Sequence, residues 1–269
     1  MSDHSCTKLP PRSWSDSLFD AKYLAKRLRP SLWDAGCLPL ADLASVVAEL
    51  APRGTGVLYD YGCGGAPYRN FFQHCEDYIG ADIVAGPQVD RLLNADGSTG
   101  EPSDAYDTVL SSQVLEHVPD PQIYLKEAFR ILKPGGLLLL TTHGMFPEHG
   151  CPNDFHRWTP VGLSAEMERA GFLVESAFKI TPGARASAYL LHLAVDDFCC
   201  RSRKLTHYSI AVLRRIYRLM LLPALNAFAS FAEPRVSLPA EAPERIYIGV
   251  GAVARKPSSC PDSTRRDDH

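Results

Sequence analysis

The sequence has few of the marks that place a chain in a specialised class. Its eight cysteines include no CxxC pair, so their spacing does not indicate a structural zinc site. No apolar stretch of signal-peptide length opens the chain. The longest uncharged run of the later apolar region, residues 219–232, is interrupted by Pro223 and is shorter than the ~20 residues of a spanning helix. We therefore expect a cytoplasmic protein with reduced cysteines and no metal site.

An excess of either charge is also lacking. Lys and Arg number 28 against 31 for Asp and Glu, which gives a formal net charge of −3. A strongly basic chain would point to nucleic acid, so no nucleic acid partner is expected. Hydrophobic residues make up 45% of the 269 positions, enough to build a core. The sequence indicates a globular protein of one large or two small domains.

Short apolar runs alternate with helical stretches from Gly56 onward. Strands are expected over residues 57–60, 78–83, 108–111, 137–141, 172–178 and 245–254. Strands that alternate with helices are typical of a parallel sheet covered on both faces. The pattern predicts a doubly wound, Rossmann-like α/β fold with a mostly parallel sheet of seven strands.

The domain organisation follows from the same pattern. We expect flexible tails at 1–12 and 257–269, an N-terminal helical cap at 13–55, an α/β core at 56–183, a helical insertion at 184–244, and the last core strand at 245–256. The second cap helix has an apolar stripe that includes Leu43, Val46 and Val47, with Asp42 and Glu49 outside the stripe.

A glycine turn follows the first predicted strand, at residues 60–65 (DYGCGG). Ligands of open parallel sheets bind at the carboxyl ends of the strands, and glycine lets the backbone come close to them. Asp82 ends the next strand, where a carboxylate can accept both hydroxyls of a ribose. Pro67 stands at the place of the third glycine of a dinucleotide fingerprint, which disfavours a pyrophosphate cradle. The turn and Asp82 together favour an adenosine-containing ligand. Asp96 either faces the adenine or forms a turn.

Four blocks in this order resemble the class I S-adenosylmethionine (SAM)-dependent methyltransferases. They are VLYDYGCGG, YIGADI, the segment from LLNADG to VLEHVPDP, and ILKPGGLLLLTTH, spread over about residues 56–178. Residues 149–172 (HGCPNDFHRWTPVGLSAEMERAGF) further resemble a bacterial subset associated with polysaccharide and cell-envelope biosynthesis. The resemblance implies SAM as the cofactor and methyl transfer as the reaction.

The resemblance also implies roles for individual residues around the cofactor. Gly62 and Gly64 would pack against its methionine and ribose portions, and Gln113 would line the methionine side. Asp60 would orient the amino group of the cofactor or the glycine turn, and Asp82 would hold the ribose hydroxyls. Asp96 and Gly97 would flank the adenine. Tyr61 departs from the small apolar residue that usually follows the aspartate, and His143 stands where a proline is common.

Three histidines beyond the fifth strand are candidates for a general base. A base is useful if the acceptor is a hydroxyl of a saccharide or glycoconjugate, and histidine suits that task near neutral pH. The candidates are His143, His149 and His156, with His149 first because it falls on the subset's motif. Asp154 can orient an imidazole, and Arg157 can hold an acceptor carboxylate or phosphate. Alternatively, Asp154 and Arg157 pair with each other in a structural loop.

Two alternatives to a saccharide acceptor stay open. One is a methyltransferase for a small lipid-like or aromatic acceptor, such as a quinone precursor. The other is a catalytically silent protein with the SAM-binding fold. Residues 201–232 contain six Arg or Lys and no Asp or Glu, so the insertion has three interpretations: a lid over the acceptor, a homodimer interface, or a peripheral contact with an anionic membrane.

Overall fold

The predicted alternation of strands and helices is present in the structure. The computed structural model describes residues 19–94, 97–150, 153–201, 207–237 and 245–258. The helices are α1 (Ala21–Leu28), α2 (Cys37–Leu50), α3 (Pro121–Ile131), α4 (Pro160–Arg169), α5 (Gly183–Arg201), α6 (His207–Ile216) and α7 (Leu222–Ala232). The strands are β1 (Val57–Tyr61), β2 (Asp77–Asp82), β3 (Arg91–Leu92), β4 (Tyr106–Ser112), β5 (Leu132–His143), β6 (Leu173–Pro182), β7 (Val236–Ser237) and β8 (Tyr247–Arg255). The predicted N-terminal tail, and residues 259–269 of the predicted C-terminal tail, lie outside the described residues.

The described strands form one sheet in the order β3-β2-β1-β4-β5-β8-β6-β7. Strands β1 to β5 run parallel to one another. Strand β8 lies between β5 and β6 and runs antiparallel to both, and β7 is antiparallel to β6. The predicted Rossmann-like fold with a mostly parallel sheet is confirmed. The described sheet has eight strands where seven were expected, and the two-residue strands β3 and β7 at its two edges match none of the predicted ranges.

Both faces of the sheet are buried, which explains the run of four leucines in β5. Leu137 and Leu139 pack on the side of α2, while Leu138 and Leu140 pack on the side of α3 and α4. Successive side chains of a strand point to opposite faces, so a strand covered on both sides is apolar throughout. The two layers leave the carboxyl ends of β1, β2, β4 and β5 at a common edge.

Helix ends follow the local sequence. Asp120 caps α3 by accepting a hydrogen bond from the Gln122 N–H at 2.9 Å, with Pro121 in the first turn. Gly171 ends α4 with φ +103°, and its N–H donates to the Glu168 carbonyl while the Phe172 N–H donates to the Met167 carbonyl. This pair of bonds is a Schellman motif, which glycine favours because it adopts positive φ without strain.

The cap has one buried ion pair that the apolar stripe of α2 did not indicate. Asp42 lies outside the stripe, yet it is fully buried. The guanidinium of Arg185, at the start of α5, donates to both Asp42 oxygens, one of them at 2.8 Å. The partner comes from 143 residues away along the chain, so helical periodicity alone does not predict this burial.

Helices α5, α6 and α7 form a layer beside α2. A π-helical turn over Tyr217–Leu221 joins α6 to α7 without a break in the helix. His192 on α5 lies between the Tyr217 hydroxyl and the Asn226 amide oxygen, which is 3.0 Å from its Nε2. The Asn226 amide in turn donates to the Leu32 carbonyl at 2.8 Å, which ties α7 to the segment after α1. Within the described residues, no helix combines the length and the apolar content that crossing a membrane would require.

Candidate active site

A cavity of about 540 Å³ opens at the carboxyl ends of the parallel strands. It lies where the strand order reverses between β1 and β4, the usual place for a ligand in an open α/β sheet. Its size is within the range of small-molecule sites. The sequence-predicted residues that line it are Asp60, Gly62, Gly64, Asp82, Gly97, Gln113, His143 and His149. We call this cavity the hollow.

The glycine turn forms one wall of the hollow directly after β1. Gly62 has φ +88°, and a Cβ atom added there would lie 2.4 Å from Cγ2 of Val114. The N–H groups of Gly62 and Cys63 both donate to the Ala81 carbonyl, at 2.8 and 2.9 Å. Position 62 requires glycine for two reasons: its φ is positive, and the turn is packed between β2 and the segment after β4, which leaves no space for a side chain.

Asp82 connects the end of β2 to the glycine turn. Its Oδ2 accepts from the Gly64 N–H at 2.8 Å and its Oδ1 accepts from the Val84 N–H at 3.0 Å. The side chain is almost fully buried, and this burial raises its pKa. Each carboxylate oxygen can accept a further bond, so Asp82 can hold the turn and accept from ribose hydroxyls.

Asp60 lies deeper, at the end of β1. It accepts a hydrogen bond from the Tyr78 hydroxyl on the neighbouring strand. Burial raises the pKa of Asp60 to about 7, although the Tyr78 bond acts in the opposite direction. A buried carboxyl of this kind favours a positively charged ligand, because a cation stabilises its ionised form.

Tyr61, the departure from the family pattern, is buried beside the hollow. Its ring stacks on Tyr124 of α3, with 4.0 Å between centroids and 18° between planes. Its hydroxyl donates to the carbonyl of Gly97, a residue with φ +85°. Tyr61 therefore fixes the loop that carries Gly97. Asp96, the predicted neighbour of the adenine, lies outside the described residues.

Gln113 follows β4 and has a left-handed backbone, with φ +59°. Its N–H donates to the Thr141 carbonyl of β5 at 2.8 Å. Positive φ is uncommon for a residue other than glycine and costs on the order of 1–3 kcal/mol, and such residues cluster at functional sites. The following residues 115–117 form a 3₁₀ turn that precedes α3.

A cluster of histidines forms the opposite wall. The ring of His149 is stacked on that of His143, with 4.8 Å between centroids, and meets the ring of His117 edge-on at 5.1 Å. His143 ends β5 and packs against Phe146 at 4.0 Å. Burial lowers the pKa of His143 to about 3 and also lowers the pKa of His149. Both imidazoles are therefore neutral at pH 7, and a neutral imidazole can accept a proton.

The loop that carries His149 is held by Asp154. The Asp154 Oδ2 accepts from the His149 N–H at 2.8 Å and lies 3.2 Å from the His149 Nδ1. Arg157 binds both Asp154 oxygens and donates to the Phe146 carbonyl at 2.7 Å. The Arg157 guanidinium keeps the pKa of Asp154 well below its usual range.

Three predicted residues do not line the hollow. Asp154 and Arg157 pair with each other behind His149, as the structural-loop alternative described. Nε2 of His156 lies 3.4 Å from the Pro119 carbonyl. The Asp154 side chain contacts the His149 imidazole, while Arg157 and His156 contact the carbonyls of Phe146 and Pro119.

Glu116 is a residue of the hollow to which the sequence analysis gave no role. It is fully buried, accepts from the Thr142 hydroxyl at 2.8 Å, and places its other oxygen 3.2 Å from the His143 Nδ1. Ligand atoms of Glu116, His143 and His149 lie within 4.8 Å of one another. The two rings are nearly parallel, so their in-plane lone pairs do not converge on one point. We therefore assign no metal to this cluster, and the absence of a metal site stays a prediction.

The N-terminal helix α1 covers the hollow, which no motif indicated. Tyr23, Leu24 and Arg27 all line it, and the Arg27 guanidinium donates to the Tyr23 hydroxyl at 3.0 Å. Arg27 follows Tyr23 and Leu24 by four and three residues, so the sequence indicates that the three side chains share one face of a helix. It could not show which ligand that face contacts.

A family model described as a methyltransferase domain matches residues 39–177, just over half of the chain. The chain belongs to this methyltransferase family. The matched segment contains β1 to β5 with the glycine turn, Asp82 and the histidine cluster. The predictions of a class I methyltransferase and of SAM as the cofactor are confirmed for the family.

Curated relatives are also methyltransferases, and each matches only part of this chain. A ubiquinone biosynthesis O-methyltransferase of Xanthomonas axonopodis pv. citri is 32% identical over 124 residues, which are 39% of this chain and 50% of the relative. A probable SAM-dependent methyltransferase of Mycolicibacterium smegmatis is 35% identical over 147 residues, 52% of this chain and 51% of the relative. The chain thus spans about half the length of these relatives.

Among solved structures, the (4+2) cyclase SpnF resembles the chain with a TM-score of 0.50 and 20% identity, over 82% of each chain. This similarity shows the fold. It does not show the reaction, because one fold serves different chemistries.

The hollow of this methyltransferase fits SAM. The cofactor carries a sulfonium and an ammonium group, and the hollow presents the buried carboxyl groups of Asp60 and Asp82. Asp82 would hold the ribose, Asp60 would face the cationic methionine portion, and Leu93 and Gly97 would border the adenine.

Proposed function

We propose that the protein transfers the methyl group of SAM to a hydroxyl of a small acceptor, with His149 as the general base. The observation that carries the proposal is that a neutral imidazole backed by a carboxylate lines the same hollow as the glycine turn and Asp82. When bound, SAM supplies an electrophilic methyl group on a sulfonium.

The chain's own residues would align the acceptor and take up its proton. With Nδ1 of His149 donating to Asp154, the Nε2 lone pair is left to accept the hydroxyl proton. The ionised Asp154 then stabilises the imidazolium. General-base assistance of this kind contributes roughly 10²–10⁴-fold in rate. The remaining rate enhancement would come from alignment of the acceptor and the methyl group in a hollow from which water is excluded.

The lining of the hollow favours a ring-shaped, largely apolar acceptor. Apolar side chains in the lining include Tyr23, Leu24, Val118, Ile123 and Phe146, and the Phe146 ring packs against His143 and His149. Such walls suit an aromatic acceptor with one or two hydroxyls. The O-methyltransferase names of several relatives support oxygen as the methyl acceptor. The saccharide acceptor, the polysaccharide subset and the cytoplasmic location stay predictions.

The test is a transfer assay with methyl-labelled SAM against a panel of phenols, catechols and glycans. His149→Ala should lower kcat by about 10²–10⁴-fold with little change in the Kd for SAM. His156→Ala is the matched control, because it alters the same loop outside the hollow. Equal turnover of the two variants would remove His149 from the mechanism. SAM binding without transfer to any panel member would favour the silent alternative.

A further inference from the structure

The helical layer has an apolar face that the described part of the chain leaves uncovered. From α6 through the π-helical turn to α7, large apolar side chains point away from the protein. We call this set the outer face: Leu213, Ile216, Leu219, Met220, Phe228 and Phe231. Phe231 is 93% exposed and Phe228 is 65% exposed. Contiguous apolar surface of this kind marks a site of interaction.

The opposite side of the same helices is already used. Tyr217, Leu222, Asn226 and Ala229 are buried against the rest of the protein. A lid would bury its apolar face over the acceptor. In this structure α7 instead packs through Leu222, Asn226 and Ala229, and the outer face remains on the outside. The lid interpretation of the insertion therefore does not account for the outer face.

Charge distinguishes between the two remaining interpretations, a homodimer interface and a contact with an anionic membrane. The helix that carries the outer face, residues 207–232, contains Arg214, Arg215 and Arg218 and no Asp or Glu, a charge of +3 from its sequence. Arg214 and Arg218 both contact Asp196, at 3.2 and 3.1 Å, while Arg215 is exposed next to Ile216. A second copy docked on the same face would bring two sets of positive charge together. A surface of anionic lipids complements both the charge and the apolar face.

The helix geometry fits a position in the plane of a membrane surface. Residues 207–232 form 26 residues of continuous helix, about 39 Å long. Their buried side carries Asn226 and Tyr217, which bind the protein interior and keep the helix from entering the bilayer. We propose that the outer face, with Arg215 and Arg218 at its side, binds peripherally to anionic membranes. The proposal does not rest on the proposed methyl transfer.

Vesicle flotation of the full chain tests the proposal, with phosphatidylcholine vesicles prepared with and without phosphatidylglycerol. We expect clear binding to the anionic vesicles, and weaker binding to the neutral ones. Phe228→Asp/Phe231→Asp should lower the partition coefficient on the order of a hundredfold. Arg215→Glu should lower it on the order of tenfold or more, and added salt should reduce this difference.

The matched control is Val161→Asp/Leu173→Asp, which places the same change on exposed apolar residues elsewhere on the surface. It should bind like the unaltered protein. Circular dichroism and SAM binding show that each variant is folded, and the exposed Arg215→Glu variant serves if the aspartate pair does not fold. No binding to either vesicle, or equal binding to both, overturns the proposal. So does a dimer in analytical ultracentrifugation that Phe228→Asp/Phe231→Asp converts to monomer while vesicles stay unbound.

Discussion

The buried carboxyl of Asp60 should make the stability of the protein fall as pH rises. Its pKa is about 7 in the folded protein, against 3.8 for an ordinary aspartate. The folded state therefore holds a proton that the unfolded state has already lost between these two values. Stability from this group is fully present below pH 4 and is lost as pH rises through 7. About three pKa units correspond to roughly 4 kcal/mol.

Asp60→Asn isolates this contribution. Asparagine has the same shape and can still accept from the Tyr78 hydroxyl, but it carries no charge at any pH. The variant should match the unaltered protein at low pH and exceed it by up to about 4 kcal/mol at pH 8, or about 8 °C in Tm. Binding of SAM should weaken in the variant, since the carboxylate that faces the cation is gone.

Urea unfolding of both proteins across this pH range measures the difference, and subtraction cancels the other titrating groups. Glu49→Gln is the control, because it removes an exposed carboxyl from α2. A stability difference that is constant with pH would refute the reasoning. A difference that shrinks as pH rises would show that Asp60 is ionised and stabilised in the fold.

Three further predictions follow from single contacts. Arg185→Ala should destabilise the protein by about 3–5 kcal/mol in denaturant unfolding, because Asp42 stays buried without its partner; an additional Asp42→Leu change should recover part of the loss, and no recovery would contradict the pairing. Gly62→Ala should weaken SAM binding in calorimetry and cost roughly 1–3 kcal/mol, since the new Cβ meets Val114 at positive φ; Val114→Ala should relieve the contact but not the backbone strain. The pKa of His149 lies below the usual 6.5. Turnover should therefore stay unchanged as the pH falls through 6.5, and it should decline only at lower pH, where His149 becomes protonated. A decline centred at pH 6.5 would contradict the neutral, desolvated imidazole.

Local sequence was enough for the parts of the site that depend on neighbouring residues. The glycine turn and Asp82 follow directly from strand ends, because the carboxyl ends of parallel strands share one edge. The contact between His149 and Asp154 is also local, because the two residues are five positions apart in one loop. These features need only a correct strand assignment.

Features that depend on distant pairing were not predictable in the same way. Asp42 is buried because Arg185, 143 residues away, pairs with it. Glu116 is buried because Thr142 and His143 reach it from β5. The position of α1 over the hollow also depends on tertiary packing that a helical period does not contain. Chain order alone did not show that β8 runs against its neighbours.

The placement of β8 has a consequence for how the protein is made. Among the described strands, β5 and β6 do not pair directly, and β8 pairs with both, so the last described strand joins the two parts of the sheet. While the ribosome is still producing residues before 247, β5 ends the nascent sheet with an unpaired edge of leucines. Such an edge is a template for association between chains. Completion of the sheet must therefore wait until β8 has been made, and a chain that stops before residue 247 would leave that edge exposed.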